Sequence, residues 1–405
     1  MKEIKGMYSS AKVFTDIIDE KAVEQIQTLC NQEFTKDAKI RIMPDAHAGV
    51  GCVIGFTANL GELVIPNIVG VDIGCGMLTV DLKDSQIDLE KLDQIIRKYI
   101  PSGTSVHSGR IMRFDKLQEL YCYRELKDSK RIERSIGTLG GGNHFIEVDV
   151  DENNHSYLVI HTGSRNLGKQ VAQYYQNLAY DLMAGKDELL FKQEQLISDY
   201  KKQGRKDELQ EAIKELRKNF IAKEVQLPKE LCYLSGKYRE QYLHDMAICQ
   251  EYATLNRQMI AKIILKQLLD MSLEEFDYFE TIHNYIDHDE NIMRKGAVSA
   301  KLNEKILIPI NMRDGSLICL GKGNEEWNQS APHGAGRLYS RQKAKELFSL
   351  NEFEDQMQGI YSTSINQHTL DECPMAYKSM DDIVNNIGET ATIIQVIKPI
   401  YNFKA

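Results

Sequence analysis

Four of the ten histidines, His144, His161, His283 and His333, stand in junctions rich in glycine or asparagine. Asp72 and Cys75 stand three residues apart in Val69-Gly70-Val71-Asp72-Ile73-Gly74-Cys75-Gly76-Met77. A carboxylate is a hard donor, a thiolate a soft one, and imidazole lies between them. Such a set suits Mn, Zn, Fe or Co better than Mg or Ca, and its size fits two ions sharing the sulfur. Each residue alone has a plainer reading: a structural cysteine in a glycine turn, or histidines of the core and surface. The joint pattern is harder to set aside. Glycine beside ligand-type side chains at several junctions weakens a fold unless something must fit there. His333 has different neighbours, Gly334-Ala335-Gly336-Arg337. Its ring is approachable and a guanidinium is close, which suits attack on a phosphate. The alternatives for it are a further metal ligand or a general acid. Asp45 and His47, in Met43-Pro44-Asp45-Ala46-His47-Ala48-Gly49-Val50-Gly51, could orient a ligand or merely make a turn.

Positioning these groups falls to short apolar runs. Leu63-Val64-Ile65 and Met77-Leu78-Thr79-Val80 read as buried strands on either side of the Asp72–Cys75 turn, with Gly70, Gly74 and Gly76 clearing space around the sulfur. Ile40-Arg41-Ile42-Met43 reads as a strand running into a loop at 44–51. Phe145 to Val150 reads as a strand that follows the glycine loop ending in His144, and Tyr157-Leu158-Val159-Ile160 as a strand that ends in the loop at His161, which opens a helix. Two further strands, Lys305 to Ile310 and Ser316 to Leu320, flank a turn at Arg313-Asp314-Gly315. A last strand covers Thr392 to Ile397, followed by the tail Tyr401 to Ala405. Helical spacing marks 10–35, 86–100, much of 170–265 and 381–387. Lys186 to Lys223, dense in Lys, Glu, Gln and Leu, reads as a helical hairpin, either a solvated insertion or an arm for RNA or a partner. The basic run from Arg97 to Arg134 is either a solvated surface or a path for a phosphate backbone.

A 42% hydrophobic fraction is that of a globular protein, and no apolar run is long enough to span a bilayer. The first residues carry no apolar leader, and the 8 cysteines form no CxxC pair. Both point to a reducing compartment, the cytoplasm. A net charge of -9 argues against a generally basic coat for nucleic acid but leaves room for a local basic cleft.

Several runs closely resemble the RtcB-type RNA ligases, in the manner of a divergent subgroup: MPDAHAGVG at 43–51, VGVDIGCGM at 69–77, GTLGGGNHFIEV at 137–148, HTGSRNLG at 161–168, HNY at 283–285, RKGAVSA at 294–300, GKGNEE at 321–326, HGAGR at 333–337 and DECPMAYK at 371–378. The resemblance implies an α+β fold with mixed β-sheets around a central metal cleft, surrounding helices, one catalytic domain over 1–405 and a helical hairpin inserted at 180–230. It implies two Mn²⁺ ions bridged by Cys75, with Asp72 and His144 completing one site and His161 and His283 the other. His333 would attack the α-phosphate of GTP and carry GMP. Asn143, Phe145, Glu147, Asn284, Pro309 to Met312, Ser316, Gly334, Ala335, Gly336 and Lys404 would line the nucleotide pocket, and Arg165 and Asp45 would act at the RNA ends. The implied reaction joins a 3′-phosphate or 2′,3′-cyclic phosphate RNA end to a 5′-hydroxyl end, in RNA repair or tRNA processing. The chain departs from the family at Pro309-Ile310-Asn311-Met312-Arg313, where the family reads Pro-Gly-Ser-Met-Gly, and at Ser330-Ala331-Pro332, where it has a Ser/Cys-rich run. Rivals to the ligase are an RNA-end guanylyltransferase or phosphohydrolase lacking the joining step, and a non-catalytic RNA-binding subunit.

Overall fold

The computed structural model describes residues 1–205 and 208–404. Lys206, Asp207 and Ala405, which belong to the expected hairpin and tail, lie outside the described residues. The fold is α+β. A seven-stranded antiparallel sheet runs in the order Lys305–Asn311, Gly315–Gly321, Ala391–Lys404, Phe145–Val150, Ser156–Thr162, Gly76–Lys83, Tyr278–Ile282. A six-stranded sheet runs Lys2–Lys5, Ser10–Val13, Ile40–His47, Ile54–Ala58, Met293–Lys295, Asn284–Ile286, with the Ser10–Val13 and Ile40–His47 pair parallel. Ala297–Ser299 pairs with Ser330–Pro332 in a third, small sheet.

Register in the large sheet decides the rest. His161 pairs with both Phe145 and Met77, and Gly76 pairs with both Thr162 and Ile282. Cys75, His144 and His283 each lie one residue beyond a paired strand residue. Four neighbouring strands therefore carry the four donors to the same end of the sheet.

The helix Gly236–Leu269 shares one core with this sheet, where Ile260, Ala261 and Ile264 pack among Leu78, Val80, Leu158 and Ile160, and a second core with Leu167, Val171 and Tyr175 through Tyr242, Met246 and Cys249. Its buried residues recur at helical spacing, which is why the segment is a helix and not a strand. On the same buried face stand Asn256 and Arg257. Asn256 accepts from the amides of Gly137 and Thr138 and donates to the carbonyls of Thr138 and Gly163, so it fastens the loops of two histidine segments. Helices Lys186–Lys202 and Leu209–Lys218 occupy the expected hairpin region, and the second buries no residue. No helix among the described residues is long and apolar enough to cross a membrane.

Four local expectations are corrected. The helix expected over 10–35 is a strand, Ser10–Val13, then a shorter helix, Glu20–Cys30, capped by the Asp19 side chain accepting from the Ala22 amide. Val13 is apolar because it faces the core from a strand. The run Leu63-Val64-Ile65 makes only an isolated bridge to Leu234 and then a helical turn, Pro66–Val69, so Asp72 and Cys75 do not lie on a hairpin. The strand expected at 40–43 extends through Pro44 to His47, because its ladder breaks between Ile42 and His47 and the missing proline N–H costs no bond. The terminal strand is one element of fourteen residues, pairing first with Gly315–Gly321 and then with Phe145–Val150. Pro399 sits at the register shift of that second ladder.

Candidate active site

Asp72, Cys75 and His144 form one group of donor atoms, and Cys75, His161 and His283 form another, each set lying within 4.8 Å of one another. Cys75 Sγ is 3.2 Å from His161 Nε2 and 3.6 Å from His144 Nε2. His144 Nε2 is also 3.0 Å from Asp72 Oδ2. The other ring nitrogens are committed to carbonyls: His144 Nδ1 to Leu139 O at 2.9 Å and His161 Nδ1 to Asn143 O at 3.1 Å. A carbonyl only accepts, so each Nδ1 carries the hydrogen and each Nε2 presents a lone pair to the sulfur. Lone pairs of imidazole, carboxylate and thiol thus converge, which is an arrangement stabilised by a positive charge between them. Asp72 Oδ1 and His283 Nδ1 are buried with no partner. A Cβ on Gly163 would come 2.4 Å from Asp72 Oδ1 and 3.0 Å from Cys75 Cα, so only glycine closes this wall of the cradle. The donor types, the orphaned atoms and the cradle all fit metal ions.

Gly74 and Gly76 do something other than clear space around the sulfur. A Cβ on Gly74 would meet Gln250 Cα of the long helix at 3.0 Å, and one on Gly76 would meet Thr281 O at 2.5 Å. They let the helix and the neighbouring strand approach the Cys75 turn.

Burial sets the electrostatics. It pushes the Cys75 thiol well up, with the Asp72 charge adding to the effect. Burial, and then the neighbouring rings, hold His161 and His283 well below the usual imidazole range. Beneath the cluster lies fully buried Arg257. Its Nη1 donates to Gly74 O at 2.8 Å and Thr162 O at 2.9 Å, and its Nη2 pairs with Glu280 at 2.9 Å. The sequence reading missed it, because an arginine inside a helical pattern carries no signal of its own.

His333 stands next to the donors. Its ring centroid is 4.9 Å from that of His283. Asp45 Oδ2 accepts from His333 Nδ1 at 2.5 Å and from the His333 amide at 3.0 Å. With Nδ1 engaged, Nε2 is the nitrogen left for chemistry. His333 lines a cavity of about 790 Å³ that also takes in His161, Asn143, Phe145, Glu147, Pro309, Met312, Gly334, Ala335, Gly336 and Lys404. Asn284 and Ser316 lie outside its lining. Asn284 donates to Asp72 O at 3.3 Å and accepts from the Gly296 amide at 3.0 Å, bracing the metal-side loops. Ser316 is buried in the Lys305–Asn311 hairpin opposite Pro309, its hydroxyl without a partner. Arg165, the first residue of the helix Arg165–Met183, donates to Thr138 Oγ1 and Gly103 O, each at 3.1 Å.

The sequence reading also missed a charged cluster on the cavity wall. Buried Glu372 takes Lys404 Nζ at 2.6 Å, the Tyr377 hydroxyl at 2.5 Å and Arg341 Nη1 at 3.0 Å, with Arg337 Nη1 at 3.3 Å. Burial pushes its pKa up, but Lys404, Arg341 and Arg337 outweigh that and hold it at about 2. The motif DECPMAYK contains Glu372 and Tyr377, and that was the available signal. Glu147 is buried and accepts from Asn402 Nδ2. Burial and the neighbouring Glu147 charge push Asp149 well up.

The chain matches the family described as tRNA-splicing ligase RtcB over residues 25–126 and 122–405. It is 30% identical to the RNA-splicing ligase RtcB of Escherichia coli strain K12, over 89% of this chain and 88% of that protein. It is 27% identical to the tRNA-splicing ligase RtcB of Archaeoglobus fulgidus, covering 93% and 89% of the two chains. With the corresponding protein of Nanoarchaeum equitans the figures are 26%, 85% and 83%. Likeness of this extent shows that the chain belongs to the RtcB family.

Proposed function

We propose that the protein is a GTP- and Mn²⁺-dependent RNA ligase that joins 3′-phosphate or 2′,3′-cyclic phosphate ends to 5′-hydroxyl ends through GMP carried on His333. The observation that carries this reading is the placement of His333. Its ring lies beside a ring of the donor cluster, its Nδ1 is held by a buried carboxylate, and it opens on a cavity of nucleotide size.

His333 Nε2 attacks the α-phosphorus of GTP. An N–P bond forms, the P–O bond to the β-phosphate breaks, and pyrophosphate leaves. Asp45 accepts from Nδ1–H throughout, and its charge offsets the positive charge the ring gains when Nε2 is bonded to phosphorus. Glu147 accepts from the N–H edge of guanine, an edge that adenine does not offer. Arg337, Arg341 and Lys404 supply positive charge along the wall where phosphates and base enter. A cyclic phosphate end is first opened by water to a 3′-phosphate. That phosphate displaces His333 from the GMP phosphorus. The 5′-hydroxyl of the second strand then attacks the 3′-phosphate, a 3′,5′-phosphodiester forms and GMP leaves. Metal ions held by the two donor groups would neutralise phosphate charge and lower the pKa of a bound water or hydroxyl. The eight cysteines, all free and buried, fit a cytoplasmic enzyme. The helices at 186–218 are an insertion in a single catalytic domain.

The test is a denaturing gel after incubation with α-labelled GTP and Mn²⁺, followed by a chase with RNA. Acid-labile label on the protein that is lost in His333→Ala, passes to RNA and leaves as GMP with ligated product is the expected result. Label that stays on the RNA end marks a guanylyltransferase, and a protein that never takes label refutes the reading.

A further inference from the structure

Asp45 holds the His333 ring, yet its carboxylate has no partner besides His333, and its own carbonyl meets only the His47 ring, Nδ1 lying 3.0 Å away. Its Oδ1 is buried without a partner, and Oδ2 is spent on His333. The ladder to the neighbouring strand is interrupted between Ile42 and His47, so sheet pairing does not fix the backbone around Asp45. Pro44, just before it, has no N–H to anchor. The direction of the carboxylate therefore depends on whatever fixes the carbonyls on either side.

That group is one side chain. Lys378 is 2% exposed, and its Nζ donates to Pro44 O at 2.9 Å, Ala46 O at 3.1 Å and Ile17 O at 2.9 Å. An ammonium has three N–H groups, and all three are used. The first two acceptors are the carbonyls that flank Asp45. The Lys378 amide in turn donates to Gly336 O at 3.0 Å, in the loop that carries His333. Gly336 has a φ of 78°, and a Cβ there would stand 2.1 Å from Asp45 O, so loop and strand touch backbone to backbone. Lys378 thus ties the acid's strand to the histidine's loop. An apolar residue would fill the same volume without the penalty of burying a charge. What the ammonium adds is direction.

We propose that Lys378 is a positioning residue for the Asp45–His333 pair, aligning the imidazole for attack on the nucleotide. This rests on the reading of His333 as the nucleophile. Displacement of a reacting group by about 1 Å lowers rates by about a hundredfold. In Lys378→Met, single-turnover transfer of α-labelled GTP to the protein should slow by about that factor at saturating GTP, with the half-saturating GTP concentration and the bound manganese unchanged. That split separates alignment from folding or binding. A folded, metal-loaded variant that labels at nearly the wild-type rate overturns the proposal. So does a variant that fails to fold or loses its metal, because Lys378 is then simply structural. If wild type itself takes no label, the nucleophile reading falls first. If wild type labels at His333 and Lys378→Met labels equally fast, only the inference about Lys378 falls.

Discussion

Arg257→Met is the substitution whose consequence the structure defines most fully. Methionine keeps the length and packs in an apolar setting, but it withdraws both donors of a guanidinium with no exposed surface. Gly74 O and Thr162 O, now 2.8 and 2.9 Å from Nη1, are left buried without that partner, and Glu280 keeps a carboxylate that is 17% exposed. Each stranded acceptor costs about 1–3 kcal/mol, and breaking a buried ion pair from one side costs about 3–5 kcal/mol in all. We expect a loss of about 3–5 kcal/mol in urea unfolding of metal-free protein. The two carbonyls adjoin Cys75 and His161, so metal affinity should fall about 10–100-fold, the usual effect of removing an outer support. Glu280→Gln in the same chain should restore about 1–3 kcal/mol, because it removes the unpaired charge. A loss below about 1 kcal/mol, or no recovery in the double variant, would refute this account of Arg257.

Two further outcomes are expected. Cys75→Ala removes the only atom common to both donor groups, so elemental analysis after dialysis should find neither ion retained, and a retained pair would move the site elsewhere. Glu372 has its folded pKa depressed to about 2 from 4.5, so its contribution is fully present above about pH 5 and is lost as pH falls toward 2. The wild type should shed about 3 kcal/mol over that window that Glu372→Gln does not, read from denaturant midpoints; parallel curves would contradict the assignment.

The donor set was legible in the sequence because chemistry and glycine coincide there: Asp72 and Cys75 share one turn, and His144 and His161 adjoin apolar runs read as strands, whereas the strand before His283 went unread. Phe145–Val150 was read with its observed bounds. The errors lie where a neighbour decides. Leu63 to Ile65 looks like a strand by composition, but its partner is a single bridge and proline turns it helical. Ile17 and Ile18 suggested a helix that Asp19 caps only after them. Arg257 and Lys378 were invisible as site residues because their role consists of bonds to carbonyls far away in sequence, and a backbone acceptor leaves no mark on residue type. Asn284 and Ser316, grouped by motif with the nucleotide, lie outside the cavity lining, Asn284 bonded to Asp72 O and Ser316 opposite Pro309.

The common end of four adjacent strands has a consequence for how this chain can vary. Because side chains alternate with every residue along a strand, the ladder acts as a ruler: adding or deleting one residue within Phe145–Val150, Ser156–Thr162, Gly76–Lys83 or Tyr278–Ile282 would swing a donor away from its companions. Segments farther from the donors carry no such constraint. Length can be gained or lost there while the spacing of the cluster stays fixed.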